Sequence, residues 1–171
     1  MNTAATSLLA RAACRHGTRA PRTGQSGFGQ GRLADPDRLE RVTHLELYQR
    51  YVYAGAISRN PDAQAELFTP DGVYEAPLVP DGHVLPRRLE GREAIRAGIP
   101  AYHAYPAFQR PVVVDRTRFT LHETTDPDVF VVETDAVLAG EGVETIFSLV
   151  QIFHLRDGLI RLLRDYFAVT D

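Results

Sequence analysis

Three carboxylates sit inside runs that otherwise read as buried β-strand. Asp165 lies in "DGLIRLLRDYFAVTD", after a turn at Arg156-Asp157-Gly158. Strands alternate faces, so Asp165 shares a side with Leu163 and Phe167, while Ile160, Leu162, Arg164 and Tyr166 share the other. A carboxylate between two apolar neighbours costs free energy unless something offsets it. Glu133 and Asp135 lie two residues apart on one face of "VFVVETDAVL". If all three acids face the same concave side, they line one cavity. Carboxylates crowded in a poorly solvated pocket cannot all ionise, so at least one pKa rises toward neutrality and becomes useful for general acid–base work. Asp165, Asp135, Glu133 and Tyr74 are therefore the candidate catalytic residues. Tyr102, His103, Tyr51, His154 and Ser148 are the candidate substrate-binding residues. Glu133 and Asp135 have an alternative, facing solvent beside Arg116, Arg118 or Arg161. His44 and His122 read as surface positions. No His pair has metal-ligand spacing, and neither a metal nor a cofactor is expected.

The elements that must position these groups follow from periodicity and turn signals. Asp35-Pro36 reads as a helix start, with Val42, Leu45, Tyr48, Val52 and Ala56 at helical spacing through about Ile57. Asn60-Pro61 opens a short second helix, "TPDG" a turn and "VYEAP" a short strand. Gly91 begins a third helix, which Pro100 is expected to break or kink. From residue 111 onward four long strands follow, "PVVVDRTRFTLHE", "VFVVETDAVLA", "VETIFSLVQIFHL" and the last one, joined by short turns as an antiparallel meander. The predicted class is α+β: helices on one face of a curved sheet.

Composition narrows the function classes. The chain has 171 residues, one domain by size. Lys is absent, which excludes a Schiff-base lysine. Residues 1–34 hold five Arg and no acid; the remainder holds fourteen Arg against twenty-two acids. An acidic body argues against nucleic acid as a partner. The single Cys14 forms no intrachain disulfide, in keeping with a reducing cytoplasm. No apolar run approaches a membrane span. Residues 1–34 are read as a disordered Arg-rich leader and residues 35–171 as the folded domain. On the penultimate strand both faces are largely apolar: Phe147, Leu149, Gln151, Phe153 and Leu155 on one, Ile146, Ser148, Val150, Ile152 and His154 on the other. One face covers the helices and the other is expected to pack sheet against sheet in a homodimer.

The segments "LFTPDGVYEAPLVP", "LEGREAIRAGIPAY", "HETTDPDVFVVETDAV" and "QIFHLRDGLIRLLRDYF" resemble, in order and spacing, the SnoaL-like branch of the nuclear-transport-factor-2-like superfamily. Within that branch the chain is most similar to phenazine-biosynthesis A/B proteins. The resemblance spans roughly residues 38–168. It implies a cone-shaped curved antiparallel sheet with three N-terminal helices enclosing a pocket, a cystatin-like α+β barrel, usually dimeric. It also implies a cofactor-independent enzyme of secondary metabolism acting on a small hydrophobic metabolite, by isomerisation, cyclisation or dehydration. Asp165 falls where phenazine proteins carry a catalytic glutamate and where limonene-type epoxide hydrolases carry a catalytic aspartate. Asp135 and Tyr74 match that hydrolase's second aspartate and water-positioning tyrosine. Glu133 stands where the hydrolase has arginine, Ala76 where it has asparagine, and Gly98 where phenazine proteins have histidine. Epoxide hydrolysis is one alternative; a non-catalytic binding or dimerisation module is the other. In the latter, Asp165 would pair with Arg161.

Overall fold

The computed structural model describes residues 42–140 and 144–169. The leader and the Asp35-Pro36 helix start lie outside these residues. The first helix described, α1 (His44–Val52), starts from Thr43, whose backbone is extended (φ −68°, ψ 157°). No continuous helix therefore runs through residue 43. The start is fixed by a capping box: the Glu46 N–H donates to Thr43 Oγ1 at 3.2 Å, and the Thr43 N–H donates to Glu46 Oε2 at 2.9 Å. Such a cap contributes on the order of 1 kcal/mol. A π-helical turn at Tyr53–Ile57 follows directly. Then comes α2 (Pro61–Ala65), capped by Asn60 as its Asn-Pro opening predicts.

β1 (Phe68–Glu75) is longer than "VYEAP". The "TPDG" segment is part of it, forming an irregularity in the ladder rather than a separate turn. Gly72 is needed here, since a Cβ would lie 3.0 Å from the Ile160 carbonyl and from Phe68 Cβ. β2 (Arg88–Glu90) is a short edge strand. α3 (Arg92–Ala104) continues through Pro100, so the proline does not break it. The proline is exposed, while Ile99 and Tyr102 are buried on the opposite side and hold the last turns in place. α4 (Pro106–Gln109) is a single turn.

The meander follows: β3 (Arg118–Glu123), β4 (Val129–Leu138), β5 (Thr145–Arg156) and β6 (Leu159–Phe167). β3 is shorter than the sequence suggests. Residues 111–117 meet β4 at a Val112–Leu138 bridge, where the Val113 N–H donates to the Val137 carbonyl at 2.7 Å and the Val137 N–H donates to Thr117 Oγ1 at 3.1 Å. The sheet order is β2-β1-β6-β5-β4-β3, curved and unclosed, so β2 and β3 are its edges among the described residues. All neighbours are antiparallel except β1 and β6, which run parallel. The fold is α+β, as predicted, with an open sheet rather than a closed barrel.

One departure in β6 matters for the site. His154 pairs with Leu162 and Leu155 with Ile160, so Arg161 is an extra residue on β6. This bulge resets the alternation. Strict parity puts Ile160 on the face of Leu162, but Ile160 is fully buried with Leu163, while Arg161 is exposed. The core lies between the concave face and the helices, and includes Phe68, Phe130, Phe153, Ile95, Ile160 and Leu163. His44, expected at the surface, stacks on Phe130 at 4.5 Å and bonds Glu123 Oε2 at 2.6 Å and the Pro127 carbonyl at 3.0 Å. It fastens the start of α1 to the β3–β4 hairpin.

Candidate active site

The concave face and the helices leave a cavity of about 210 Å³. Each wall follows from strand alternation or helical spacing. β6 contributes Asp165 and Phe167, β5 contributes Phe147, Leu149 and Gln151, and β4 contributes Thr134, Ala136 and Leu138. α1 turns Tyr48 and Tyr51 inward from positions three apart, and α3 contributes Ile99, Tyr102 and His103.

Asp165 is the acid of this cavity, 8% exposed. Its Oδ2 accepts two hydrogen bonds, from Gln151 Nε2 at 3.0 Å and from the Tyr74 hydroxyl at 3.1 Å. Its Oδ1 is buried and has no partner. Burial pushes the carboxyl up from 3.8 to about 6; the bonds from Gln151 and Tyr74 pull the other way, but less strongly. Among the described residues no cation pairs with it. Arg161, the partner that a purely structural role would use, is the exposed bulge residue.

Phenols surround the carboxylate. Tyr48 is pushed up to about 12, chiefly by burial, although its hydrogen bond with Thr134 Oγ1 at 2.7 Å opposes the shift. Tyr51 and Tyr74 are raised well above the usual phenol value, by burial first and by the Asp165 charge second. Tyr102 is raised as well, again chiefly by burial. Its ring meets Tyr74 edge to face at 5.3 Å and its hydroxyl donates to the Pro86 carbonyl. These phenols stay protonated at any physiological pH, so each keeps one O–H to donate. His103 is held below its ordinary value by partial burial and by the Arg59 charge, while a hydrogen bond to the Gly55 backbone acts in the opposite sense. It is neutral near pH 7.

The structure thus brings Asp165, Tyr74, Tyr51, Tyr102 and His103 together. It does not bring Glu133, Asp135, Ser148 or His154 to them. β4 buries Phe130, Val132, Thr134 and Ala136, so the alternate residues Glu133 and Asp135 project from the other face. There Ser148 Oγ donates to Asp135 Oδ1 at 2.6 Å, and Glu133 lies 3.3 Å from His122 Nε2. These groups line a separate shallow groove of about 320 Å³ with Arg118 and Tyr166. His154 also lies on that outer face, paired in register with Val129 and Leu162. The three-carboxylate cavity is therefore not formed: phase along β4 sends two of the acids outward. Gly98 lines no part of the cavity. A Cβ there would meet the Leu89 methyls at 2.5 and 2.7 Å, so Leu89 would have to turn aside for any side chain at this position.

Several functional groups were not singled out from the sequence. Gln151 is the most consequential. Its signal was present: an amide between Leu149 and Phe153 on an apolar strand face carries the same cost as Asp165. Tyr48, Thr134, Gln64 and Arg59 line the cavity without such a flag. Gln64 is placed by the π-helical turn. Its amide packs against Gly55 so closely that a Cβ there would lie 2.9 Å from Gln64 Nε2.

Comparison with known proteins agrees with this architecture. Residues 48–163 match the SnoaL-like domain. An uncharacterized PhzA/B-like protein of Pseudomonas aeruginosa is 33% identical over 119 residues, covering 67% of this chain and 79% of that protein. Among solved structures, a Bacillus subtilis protein provisionally assigned as an isomerase superposes with a TM-score of 0.55 at 23% identity, covering 71% of this chain and 84% of that one. A Catenulispora acidiphila protein with a ketosteroid isomerase-like fold superposes at 0.51 with 19% identity, covering 75% and 88%. These two likenesses concern the fold alone. The chain belongs to the SnoaL-like family of the nuclear-transport-factor-2-like fold, in its PhzA/B-like branch.

Proposed function

We propose that this protein is a cofactor-independent enzyme that moves protons on a small, largely apolar metabolite, with Asp165 as the general acid–base group. The observation that carries this reading is Asp165 Oδ1: a buried carboxylate oxygen, in a cavity wall, with no partner. Buried polar atoms are nearly always paired, so an orphan at the floor of a cavity points to a ligand. The Oδ2 bonds from Gln151 and Tyr74 fix the carboxylate plane and leave Oδ1 to take or give the proton. With a pKa near 6 the group is ionised at neutral pH yet still basic enough to abstract a proton from carbon beside a carbonyl. Tyr74 and Tyr102 already give their protons to Asp165 and the Pro86 carbonyl, which leaves Tyr48 and Tyr51 as the donors for the enolate oxygen that such a step creates. Isomerisation, cyclisation and dehydration all share this step, and a role in secondary metabolism fits the PhzA/B-like relative.

The test is proton exchange. Cyclic enones and β-keto compounds incubated in D2O should gain deuterium at the carbon beside the carbonyl with wild type, and at the background rate with Asp165→Asn. Equal exchange by both proteins would remove Asp165 from the mechanism. Epoxide opening by water clamped between two carboxylates has no geometric support, because Asp135 lies across the sheet from Asp165.

A further inference from the structure

Among the described residues, the buried side-chain atoms without a hydrogen-bond partner are Gln64 Oε1, Thr69 Oγ1 and Asp165 Oδ1. Of these three residues, the glutamine and the aspartate line the cavity. Gln64 lies in α2 and is 4% exposed. The chain makes room for its amide. A Cβ on Gly55 would lie 2.9 Å from Gln64 Nε2 and 3.1 Å from Oε1, so the residue that faces the amide carries none. Gly55 belongs to the π-helical turn Tyr53–Ile57, and such turns are frequent at functional sites. The amide also hydrogen-bonds the Tyr51 hydroxyl. That bond pulls the Tyr51 pKa down against the rise from burial, as an N–H donated to the phenol oxygen does. It uses the Nε2 end of the amide and leaves the Oε1 end unoccupied. The Tyr51 oxygen is filled by the same bond, so its O–H is left to give to a ligand.

We infer that Gln64 is a specificity-determining residue of the proposed reaction: its Oε1 accepts a hydrogen bond from a hydroxyl of the substrate, beside the O–H that Tyr51 donates. This rests on the reading of the cavity as a substrate site. A buried amide oxygen without a donor is costly, and a hydroxyl brought in by a ligand removes the cost. A site that bonds a hydroxyl rejects an analogue lacking it far more strongly than an apolar pocket rejects an extra methyl. A glutamine that only filled space beneath Gly55 would have both ends of its amide satisfied by the protein. Here one end is satisfied, and it is the end that turns Tyr51 toward the ligand.

The experiment measures binding of 3- and 4-hydroxyacetophenone by calorimetry, each against the methylacetophenone of the same substitution, where a methyl of similar size replaces the hydroxyl. A cavity of about 150 Å³ accommodates benzene, so about 210 Å³ takes one such ring. Wild type should bind at least one hydroxy compound about tenfold or more tightly than its methyl partner. Gln64→Met and Gln64→Leu, one close in shape and one shorter, both lack the amide and should erase or invert that preference. Gln64→Glu should keep most of it, since a carboxyl oxygen still accepts and only the N–H to Tyr51 is lost. Equal affinities for both pairs in wild type, as a resident water on Oε1 would give, would overturn the assignment. So would no binding of either hydroxy compound, a preference undiminished in Gln64→Met or Gln64→Leu, or one lost in Gln64→Glu. Asp165→Asn should keep the preference while losing deuterium exchange. Exchange without a hydroxyl preference would therefore sink this inference alone, and a Gln64-dependent preference without exchange would sink the general-base reading alone.

Discussion

Gln151 and Asp165 face each other across the β5–β6 ladder, and the Gln151 amide donates at 3.0 Å to the carboxylate oxygen that Tyr74 also reaches. Both bonds favour the charged carboxylate, and burial outweighs them. Removing either donor should raise the Asp165 pKa above 6. For Gln151→Leu and Tyr74→Phe, the alkaline-rising limb of kcat/KM should move to higher pH, further in the double variant. Either variant keeping the wild-type limb would mean that its donor does not tune Asp165.

Asp165→Asn should cost activity by about 10²–10⁴-fold and yet stabilise the fold. The sign follows from linkage. Below about pH 4 the carboxyl is protonated in both folded and unfolded chains, and no penalty arises. Between pH 4 and pH 6 the unfolded chain ionises first, so wild-type stability falls. Above about pH 6 the deficit is constant, roughly 3 kcal/mol. The amide has no such deficit, and its oxygen still accepts from Gln151 and Tyr74. Thermal melts of the two proteins should diverge from pH 4 to pH 6 and run parallel above, with the variant higher by several degrees. A variant melting below wild type at pH 7 would show that the carboxylate is structural.

Asp165 and Gln151 illustrate what the sequence discloses. A charge or amide flanked by apolar residues at a spacing of two announces a cost that the fold must offset, and both residues lie in the cavity. Glu133 and Asp135 obey the same alternation, but parity along β4 alone does not say which face is inner. Only pairing with β5 settles that, since Thr134 faces Leu149 and Glu133 faces Val150. The helix through Pro100 was decided by packing, since Ile99 and Tyr102 hold its last turns. The cap of α1 at Thr43 was present in the sequence as Thr43-x-x-Glu46, and His44 on Phe130 reinforces it. Arg59 gave no sequence signal because its place in the cavity wall depends on a backbone turn that periodicity does not encode.

The Arg59 charge is a cause of the low His103 pKa, second to burial. Arg59→Gln should therefore raise the His103 pKa in the free protein, as followed by NMR titration of its ring protons. An unchanged His103 titration in Arg59→Gln would show that the Arg59 charge does not reach the imidazole.

The outer face of the sheet exposes Ile146 at 68% and Val150 at 37%, beside half-buried Ile152 and Leu162. Packing of this face against a second copy is the expected assembly. Light scattering should then give a dimer mass for wild type and a monomer mass for the Ile146→Glu, Val150→Glu double variant. A monomeric wild type would refute sheet-to-sheet association.

The extra residue at Arg161 separates two demands that a regular strand could not meet. Ile160 must enter the core, where its N–H donates to the Leu67 carbonyl at 2.8 Å, and Asp165 must enter the cavity. With five steps between them, strict alternation would send one of the two outward. The bulge absorbs one step. Excising any one residue between them would leave four steps, a regular strand that still turns both side chains inward, and excising Arg161 would do so while sparing Leu163 in the core. A strand one residue shorter between Ile160 and Asp165 keeps both ends in place, so relatives are best aligned by anchoring Asp165 and letting the gap fall at the bulge.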